Sequence, residues 1–406
     1  MRFFVLTIAG FFLFVPPAAA QLPFNQFIQS LWPDAQKLGV SRKTFDAETR
    51  GLTPDTSLPD LEIPGRIERP PAQAEFVQTP EQYVSEALIA RFAVQGRQYA
   101  NKYRDTLLEI EERFGTPGNV ILAIWARETS FGSAKLPHDA LRVLATQAWT
   151  GRRKAQFRDE FLYALKMLED GHIARADMKS SWAGAMGHTQ FLPSDFFKNA
   201  VDFDGDGKRD IWNSIPDALA SAGKQLADKG WQRGGRWAYE VRVPNNVDCS
   251  RAEPGFKIPV GEWLKYGLTP ARGRKLNAIE LVEEASLLMP EGSYGPAFLT
   301  PKNYFVLKDY NFSDLYVLFV GHLSDRIGGA PGFETAWSRS QQLRTAEVEE
   351  MQRILTSRGF YKDKLDGKAG MLTRAALGEY QKKHSLKLDC WPTQAVLDHM
   401  RGGSRK

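Results

Sequence analysis

The segment from Thr116 to Gly132 constrains this chain more than any other, because it sets a carboxylate on the apolar stripe of a short helix. Thr116 can cap that helix, and Pro117 suits the first helical position, where its missing N–H costs nothing. At helical spacing Val120, Ile121, Ile124 and Trp125 share one face, and Glu128 falls on it while Arg127 is rotated away. An apolar face of this kind has to be covered by other elements, so a helical core around it is expected. A carboxyl group flanked by Trp125 and Phe131 loses hydration, which disfavours its ionised form. A general acid at neutral pH needs that state. The plainer reading leaves Glu128 at the helix end, turned to water.

Farther along lies Ser181-Trp182-Ala183-Gly184-Ala185-Met186-Gly187-His188-Thr189-Gln190-Phe191-Leu192-Pro193-Ser194. Small residues allow a backbone to approach a ligand, Thr189 and Gln190 offer neutral hydrogen bonds, and Trp182 and Phe191 offer flat faces. Sugars suit this mixture, although tight helix packing would use the same residues. Taken together, Glu-Thr-x-x-Gly at Glu128 and Gly-Ala-Met-Gly-x-x-Gln-Phe-x-Pro-Ser from Gly184 resemble the lytic transglycosylases of the membrane-bound lytic murein transglycosylase B family. The resemblance runs from about Phe92 to about Ile327.

The two ends frame this part. Met1-Arg2 and the apolar run to Val15 precede Pro16-Pro17-Ala18-Ala19-Ala20, which reads as a secretory leader over residues 1–20. No cysteine follows it, so the expected protein is exported to the periplasm and is not a lipoprotein. No other stretch is long and apolar enough to span a bilayer. The net charge of +5 suits an acidic polymer such as peptidoglycan, and equally suits plain solubility. Neither a basic tract nor zinc-ligand spacing argues for nucleic acid. Cys249 and Cys390 would lie in an oxidising compartment, and the sequence leaves open whether they pair.

Helical spacing recurs at Phe24–Leu31, from Thr79 to Phe114, and over Phe157–Leu168, Pro216–Lys229 and Ser313–Ile327. Residues 51–80 are rich in proline and read as an extended surface segment. Alternation over Trp237–Val243 marks a strand, within a smaller mixed insertion over residues 235–300. The expected fold class is mainly α: a lysozyme-like helical catalytic domain over 21–327, carrying a small mixed α/β lobe. Gly328–Thr345 is a linker. Beyond it, Val348, Met351, Ile354 and Leu355 form one helical stripe, and Asp366-Gly367-x-x-Gly370-x-x-Thr373-x-x-Ala376 resembles the three-helix peptidoglycan-binding domain, over about 346–400. As a separate module it should be removable without harming turnover of soluble substrate.

Most glycosidases set two carboxylates across the scissile bond. Near Glu128 no second acid clearly belongs to a cleft, and Asp139, Asp159 and Glu160 read as helix-surface charges. The resemblance implies a single acid/base. Glu128 would protonate the oxygen between N-acetylmuramic acid and N-acetylglucosamine, then take the proton from the muramoyl C6 hydroxyl as that group closes a 1,6-anhydro ring. An internal nucleophile brings a high effective concentration and needs no second carboxylate. Carried over by motif, Ser181 and Gln190 are polar groups beside Glu128, Arg152 and Arg153 line the groove, and Phe191, Tyr310, Asn311 and Tyr316 contact sugar. Core packing is the alternative for the aromatic ones. Where family members commonly show Asn-Tyr, this chain has Lys224-Gln225. A hydrolytic muramidase and a non-catalytic peptidoglycan-binding protein are the competing functions.

Asp202-Phe203-Asp204-Gly205-Asp206-Gly207-Lys208-Arg209-Asp210 follows the EF-hand calcium loop, with acids at positions 1, 3, 5 and 9, glycine at 6 and the Lys208 carbonyl at 7. Asn213 stands at position 12, where a glutamate is expected, and Asp217 can take its place. Against that, Ser214-Ile215-Pro216-Asp217 also reads as a helix capping box. A bound Ca2+ would be structural, with no cofactor required for the chemistry. The expected partner is the peptidoglycan glycan strand.

Overall fold

The computed structural model describes residues 22–65, 78–244, 247–338 and 343–402, so the expected leader over 1–20 lies outside the described residues. Three short helices open the chain, α1 (Phe24–Ser30), α2 (Trp32–Lys37) and α3 (Arg42–Thr49). A capping box at Thr79 starts α4 (Pro80–Tyr83), which leads into α5 (Glu86–Lys102), α6 (Arg104–Phe114) and α7 (Gly118–Thr129). After them come β1 (His138–Asp139), α8 (Ala140–Thr150), α9 (Lys154–Glu169), β2 (Lys179–Ser180), α10 (Pro193–Asn199) and α11 (Ile215–Asp228).

The helix bearing Glu128 departs from the sequence reading at its start and in its burial. Pro117 is the N-cap residue of α7 and makes no side-chain cap; Thr116 instead turns inward and donates its hydroxyl to the Gly223 carbonyl at 3.0 Å. Every residue from Val120 to Ala126 is buried, so α7 is covered all round rather than along one stripe. That is the pattern of a central core helix.

Two large apolar cores order the helices, and α7 lies within the first. One gathers α5, α6, α7 and α11 with α14 (Lys302–Tyr310) and α15 (Asp314–Ile327). The other packs α1 to α3 against α8, α9 and α10, with Phe45, Phe157, Phe161 and Phe196 buried among them. Tyr310 packs against both cores, and therefore marks the seam between them.

Between α11 and α14 the chain forms the mixed lobe. Its strands are β3 (Tyr239–Arg242), β4 (Ile258–Pro259), β5 (Thr269–Pro270), β6 (Glu284–Leu288) and β8 (Ala297–Thr300). They form one sheet in the order β4-β6-β8-β3-β5, with every pairing antiparallel. Tyr239 and Val241 of β3 point inward, as the alternation required. Short helices α12 (Val260–Lys265) and α13 (Ala278–Val282), and strand β7 (Pro290–Ser293), complete the lobe.

The expected linker is a packed strap where it is described. Phe333 stacks on His322 with ring centroids 3.8 Å apart, and the Glu334 and Thr335 N–H groups donate to Glu240. Helices α16 (Thr345–Ser357), α17 (Met371–Lys383) and α18 (Gln394–Gly402) then enclose a small core of their own around Met351, Leu377 and Leu397. The pairing that the sequence left open is made. A Cys249–Cys390 disulfide joins this unit to the mixed lobe across 141 residues.

A candidate active site at the seam of two helical cores

Glu128 lies in the last turn of α7, partly exposed. Its Oε1 accepts a hydrogen bond of 2.5 Å from the hydroxyl of Tyr316, in the first turn of α15. The Tyr316 ring is 2% exposed and lies nearly parallel to Tyr310, with centroids 6.3 Å apart and planes 9° from each other. Burial, then the charge of Glu128, pushes the Tyr316 hydroxyl well above its ordinary range, so it remains a proton donor toward the carboxylate. Tyr316 and Tyr310 therefore supply the aromatic surroundings that the sequence assigned to Trp125 and Phe131. Those two rings pack on each other and on Tyr99 instead.

The sequence motifs have a mechanical reason. Ser130, Phe131 and Gly132 all take positive φ, which turns the chain sharply after α7. Thr129 holds the turn by accepting from the Gly132 N–H at 3.0 Å while donating to the His188 carbonyl at 2.8 Å. A Cβ on Gly132 would come 2.4 Å from the His188 ring, so only glycine lets the two segments close. On its other side His188 Nδ1 accepts from Trp125 Nε1 at 3.1 Å, and burial lowers the imidazole pKa. Glu-Thr-x-x-Gly is thus a docking surface for the glycine-rich loop.

That loop is a tight hairpin closed by the Met186–Phe191 bridge. At its tip the Tyr310 hydroxyl donates to the Thr189 carbonyl at 2.6 Å. A continuous series of contacts therefore runs from the loop through Tyr310 and Tyr316 to Glu128. Gln190 comes next, part-exposed, with φ of +56° and its Nε2 donating to the Gly187 carbonyl at 3.1 Å. A non-glycine residue in this conformation is strained, as groups at functional sites often are.

The other expected site residues divide. Ser181 accepts from the Ala183 and Ala185 N–H groups and so organises the loop. Asn311 accepts from the Ser313 N–H, shaping the entry to α15. Arg152 and Arg153 are exposed and both face Asp60 of the extended segment, at 3.5 and 3.6 Å. Phe191 is 1% exposed and belongs to the N-terminal core, so its ring has no free face for a sugar. Tyr316 is likewise enclosed, and addresses Glu128 rather than solvent.

Among the carboxylates weighed as a second acid, Asp139 caps α8 and Asp159 is exposed beside Arg158. Glu160 is not a surface charge: it is buried, and accepts from the N–H and hydroxyl of Ser194. Sequence reasoning missed Asp195. Burial raises its carboxyl above the usual range, against lowering by Lys229 and by a hydrogen bond from Gln225. Burial also pushes the Tyr310 hydroxyl far up, with further contributions from Glu128 and Asp195. The departure at Lys224-Gln225 therefore bears on the site through Gln225, which is buried, while Lys224 bonds Asp228 and the Lys198 carbonyl. The signal for Asp195 was its position directly after the motif, following Pro193-Ser194.

In the acidic loop, Asp202, Asp204 and Asp217 bring carboxylate oxygens within 4.8 Å of one another. Asp217 is fully buried and accepts from the N–H groups of Phe203, Asp204 and Asp210. Ser214 does cap α11 by accepting from the Asp217 N–H, but the Asp217 carboxylate turns to the loop, so only half of the capping box forms. Asp206 and Asp210 bond N–H groups of their own loop, those of Lys208 and of Trp212 and Asn213 respectively. Their carboxylates stand outside the cluster of three.

The transglycosylase SLT domain family matches residues 23–325, and the putative peptidoglycan binding domain family matches 344–400. SltB3 from Pseudomonas aeruginosa, in complex with NAG-NAM-pentapeptide, superimposes with a TM-score of 0.81 at 35% identity, covering 93% of this chain and 99% of that one. Membrane-bound lytic murein transglycosylase B of Escherichia coli is 30% identical over 236 residues, 57% of this chain and 63% of that protein. The match thus spans less than two thirds of that relative's length. The Escherichia coli lytic transglycosylase Slt35 in complex with calcium shares the fold, at a TM-score of 0.59 and 24% identity, over 75% of this chain and 92% of that one. No helix among the described residues is long and apolar enough to cross a membrane. By the extent of its family match, together with the docking of its two motifs around Glu128, the chain belongs to the transglycosylase SLT domain family.

Proposed function

We propose that the protein is a lytic transglycosylase that cleaves the N-acetylmuramic acid to N-acetylglucosamine bond of peptidoglycan without water, leaving 1,6-anhydro-muramoyl ends. The observation that carries the reading is the hydrogen bond from Tyr316 to Glu128 at the seam, one carboxyl group held by a buried phenol. Membership of the family and the NAG-NAM-pentapeptide in the SltB3 complex support the substrate.

Glu128 as acid gives its proton to the glycosidic oxygen, so the leaving sugar departs as an alcohol. The resulting carboxylate, with Tyr316 on Oε1, then takes the proton of the muramoyl C6 hydroxyl while O6 bonds to C1. One group serves both steps because the nucleophile belongs to the substrate. In this reading Gln190, Ser181 and Asn311 hold neutral sugar groups, Tyr310 sets the loop, and Arg152 and Arg153 pair with carboxylates of the peptide or lactyl groups. Residues 21–327 carry the reaction, 346–400 bind the wall, and a leader over 1–20 directs export to the periplasm.

The acidic loop fits a cation in one respect above others. Asp217 is buried, burial raises its carboxyl, and Asp204 adds like-charge repulsion, which a divalent ion would offset. Ca2+ would be held by Asp202, Asp204 and Asp217, with the Lys208 carbonyl as a further oxygen; its contribution there is charge neutralisation that fixes the loop.

Asp195 favours a second reading, hydrolysis by a muramidase with two carboxyl groups. Mass analysis of digested peptidoglycan decides between them, since anhydro ends are lighter than hydrolytic ends by one water. Reducing ends alone would remove the transglycosylase reading, and no released glycan at all would leave a wall-binding protein.

A further inference from the structure

The C-terminal unit touches the helix that presents Tyr316. Arg374, in the first turns of α17, is 6% exposed and sits with its Nη2 3.9 Å from Asp314 Oδ2. Its Nη1 donates to the Ala369 carbonyl, which fixes the guanidinium within its own unit. Asp314 is the first residue of α15, two positions before Tyr316. Its other oxygen accepts from the buried Tyr304 hydroxyl at 2.7 Å and from Lys308. Met371, one turn before Arg374, is 3% exposed and packs in the same core as Tyr304 and Tyr316. Beside these contacts run the Cys249–Cys390 disulfide and the pairing of Lys382 with Asp248.

We propose that Arg374 is a positioning residue for the reaction, acting through Asp314 and the first turn of α15 to set the Tyr316 hydroxyl against Glu128. The inference rests on Glu128 being the acid/base of the proposed reaction. A carboxylate at a helix N-terminus already favours the helix dipole. Two donors from α14 on one oxygen and the Arg374 charge from the C-terminal unit near the other then fix how the first turn is rotated, and Tyr316 rides on that turn. Removing Arg374 leaves two donors, both from the catalytic unit, so the turn can rotate within the seam. Small displacements of a catalytic hydrogen bond are costly because the reacting geometry is narrow. The wall-binding unit is then part of the active-site framework, contrary to the expectation that it can be removed without consequence for soluble substrate.

The test uses the full, disulfide-linked chain with a soluble muropeptide oligosaccharide. Arg374→Met should lower kcat by about tenfold with KM little changed, since the disturbed contact matters most as charge moves through Glu128. The pH profile of kcat should shift, Arg374→Lys should recover part of the loss, and binding to insoluble peptidoglycan should stay near that of the parent. A folded Arg374→Met protein with parental kcat and pH profile overturns the proposal. So does a kcat that falls only in step with the folded fraction. Where loss of the Arg374 charge beside Asp314 prevents folding, Asp314→Asn combined with Arg374→Met removes both charges, and the same two readings apply. Failure of the functional reading is seen separately, as a parent protein that releases no anhydro product from this substrate.

Discussion

Glu128 and Asp217 are both carboxylates at the edge of a helix, and the two are held in opposite ways. Glu128 receives the hydroxyl of Tyr316, a residue 188 positions away in the chain. Asp217 receives three backbone N–H groups from residues 7 to 14 positions before it. A side-chain donor on a separate helix leaves a carboxyl group able to exchange its proton while staying aimed. Three backbone donors fix the anion and make it part of the loop. The first arrangement suits chemistry and the second suits architecture, so changes at the two places should affect different measurements.

The largest separation should come from Glu128→Gln, which keeps the shape and removes the proton. Release of anhydro-muropeptides should fall by a factor of roughly 10²–10⁴, the range for loss of general acid–base catalysis, while the melting temperature stays near that of the parent. Activity surviving that change would move the acid elsewhere. Tyr316→Phe comes next. Loss of a hydrogen bond to a charged group corresponds to about 1.5–3 kcal/mol, or roughly 10–100-fold in kcat, measured on soluble substrate. An unchanged kcat would mean that the phenol does not orient Glu128 during turnover.

Asp195→Asn probes the seam from its other side. In the single-acid mechanism the product remains anhydro and kcat changes by less than about threefold, as for removal of a group outside the proton path. Conversion to hydrolytic ends, or an activity loss as deep as that of Glu128→Gln, would make Asp195 a partner in catalysis. The smallest effect on activity belongs to the acidic loop. Asp202→Ala with Asp204→Ala should leave kcat alone and abolish the response of the melting temperature to calcium. In the parent, calcium at about ten times its dissociation constant should add roughly 1.4 kcal/mol, a shift of a few degrees. A melting curve indifferent to calcium would leave the loop as a turn held by its own N–H groups.

Much of this was legible from local pattern. The helix carrying Glu128, the strand at Tyr239–Arg242, the capped start of α11 and the helix over Val348–Leu355 follow from periodicity and turn chemistry, while the three-helix C-terminal unit followed from its resemblance to a known domain. Periodicity failed where burial was complete, because a helix covered on every side has no polar face to betray its orientation; hence the misassigned neighbours of Glu128. The carry-over by motif failed at Phe191, where the alternative of core packing holds.

By itself, the sequence determined most elements, the place of Glu128 at the end of its helix and the presence of two families of motif, since each depends on residues within one or two turns of each other. Only the tertiary structure decided which tyrosine meets Glu128, that the Asp195 charge acts on Tyr310, that Cys249 pairs with Cys390, and that Arg374 reaches Asp314. Those contacts join residues from about 60 to about 190 positions apart. Their formation depends on how whole helices pack, a global property that no local window of sequence encodes.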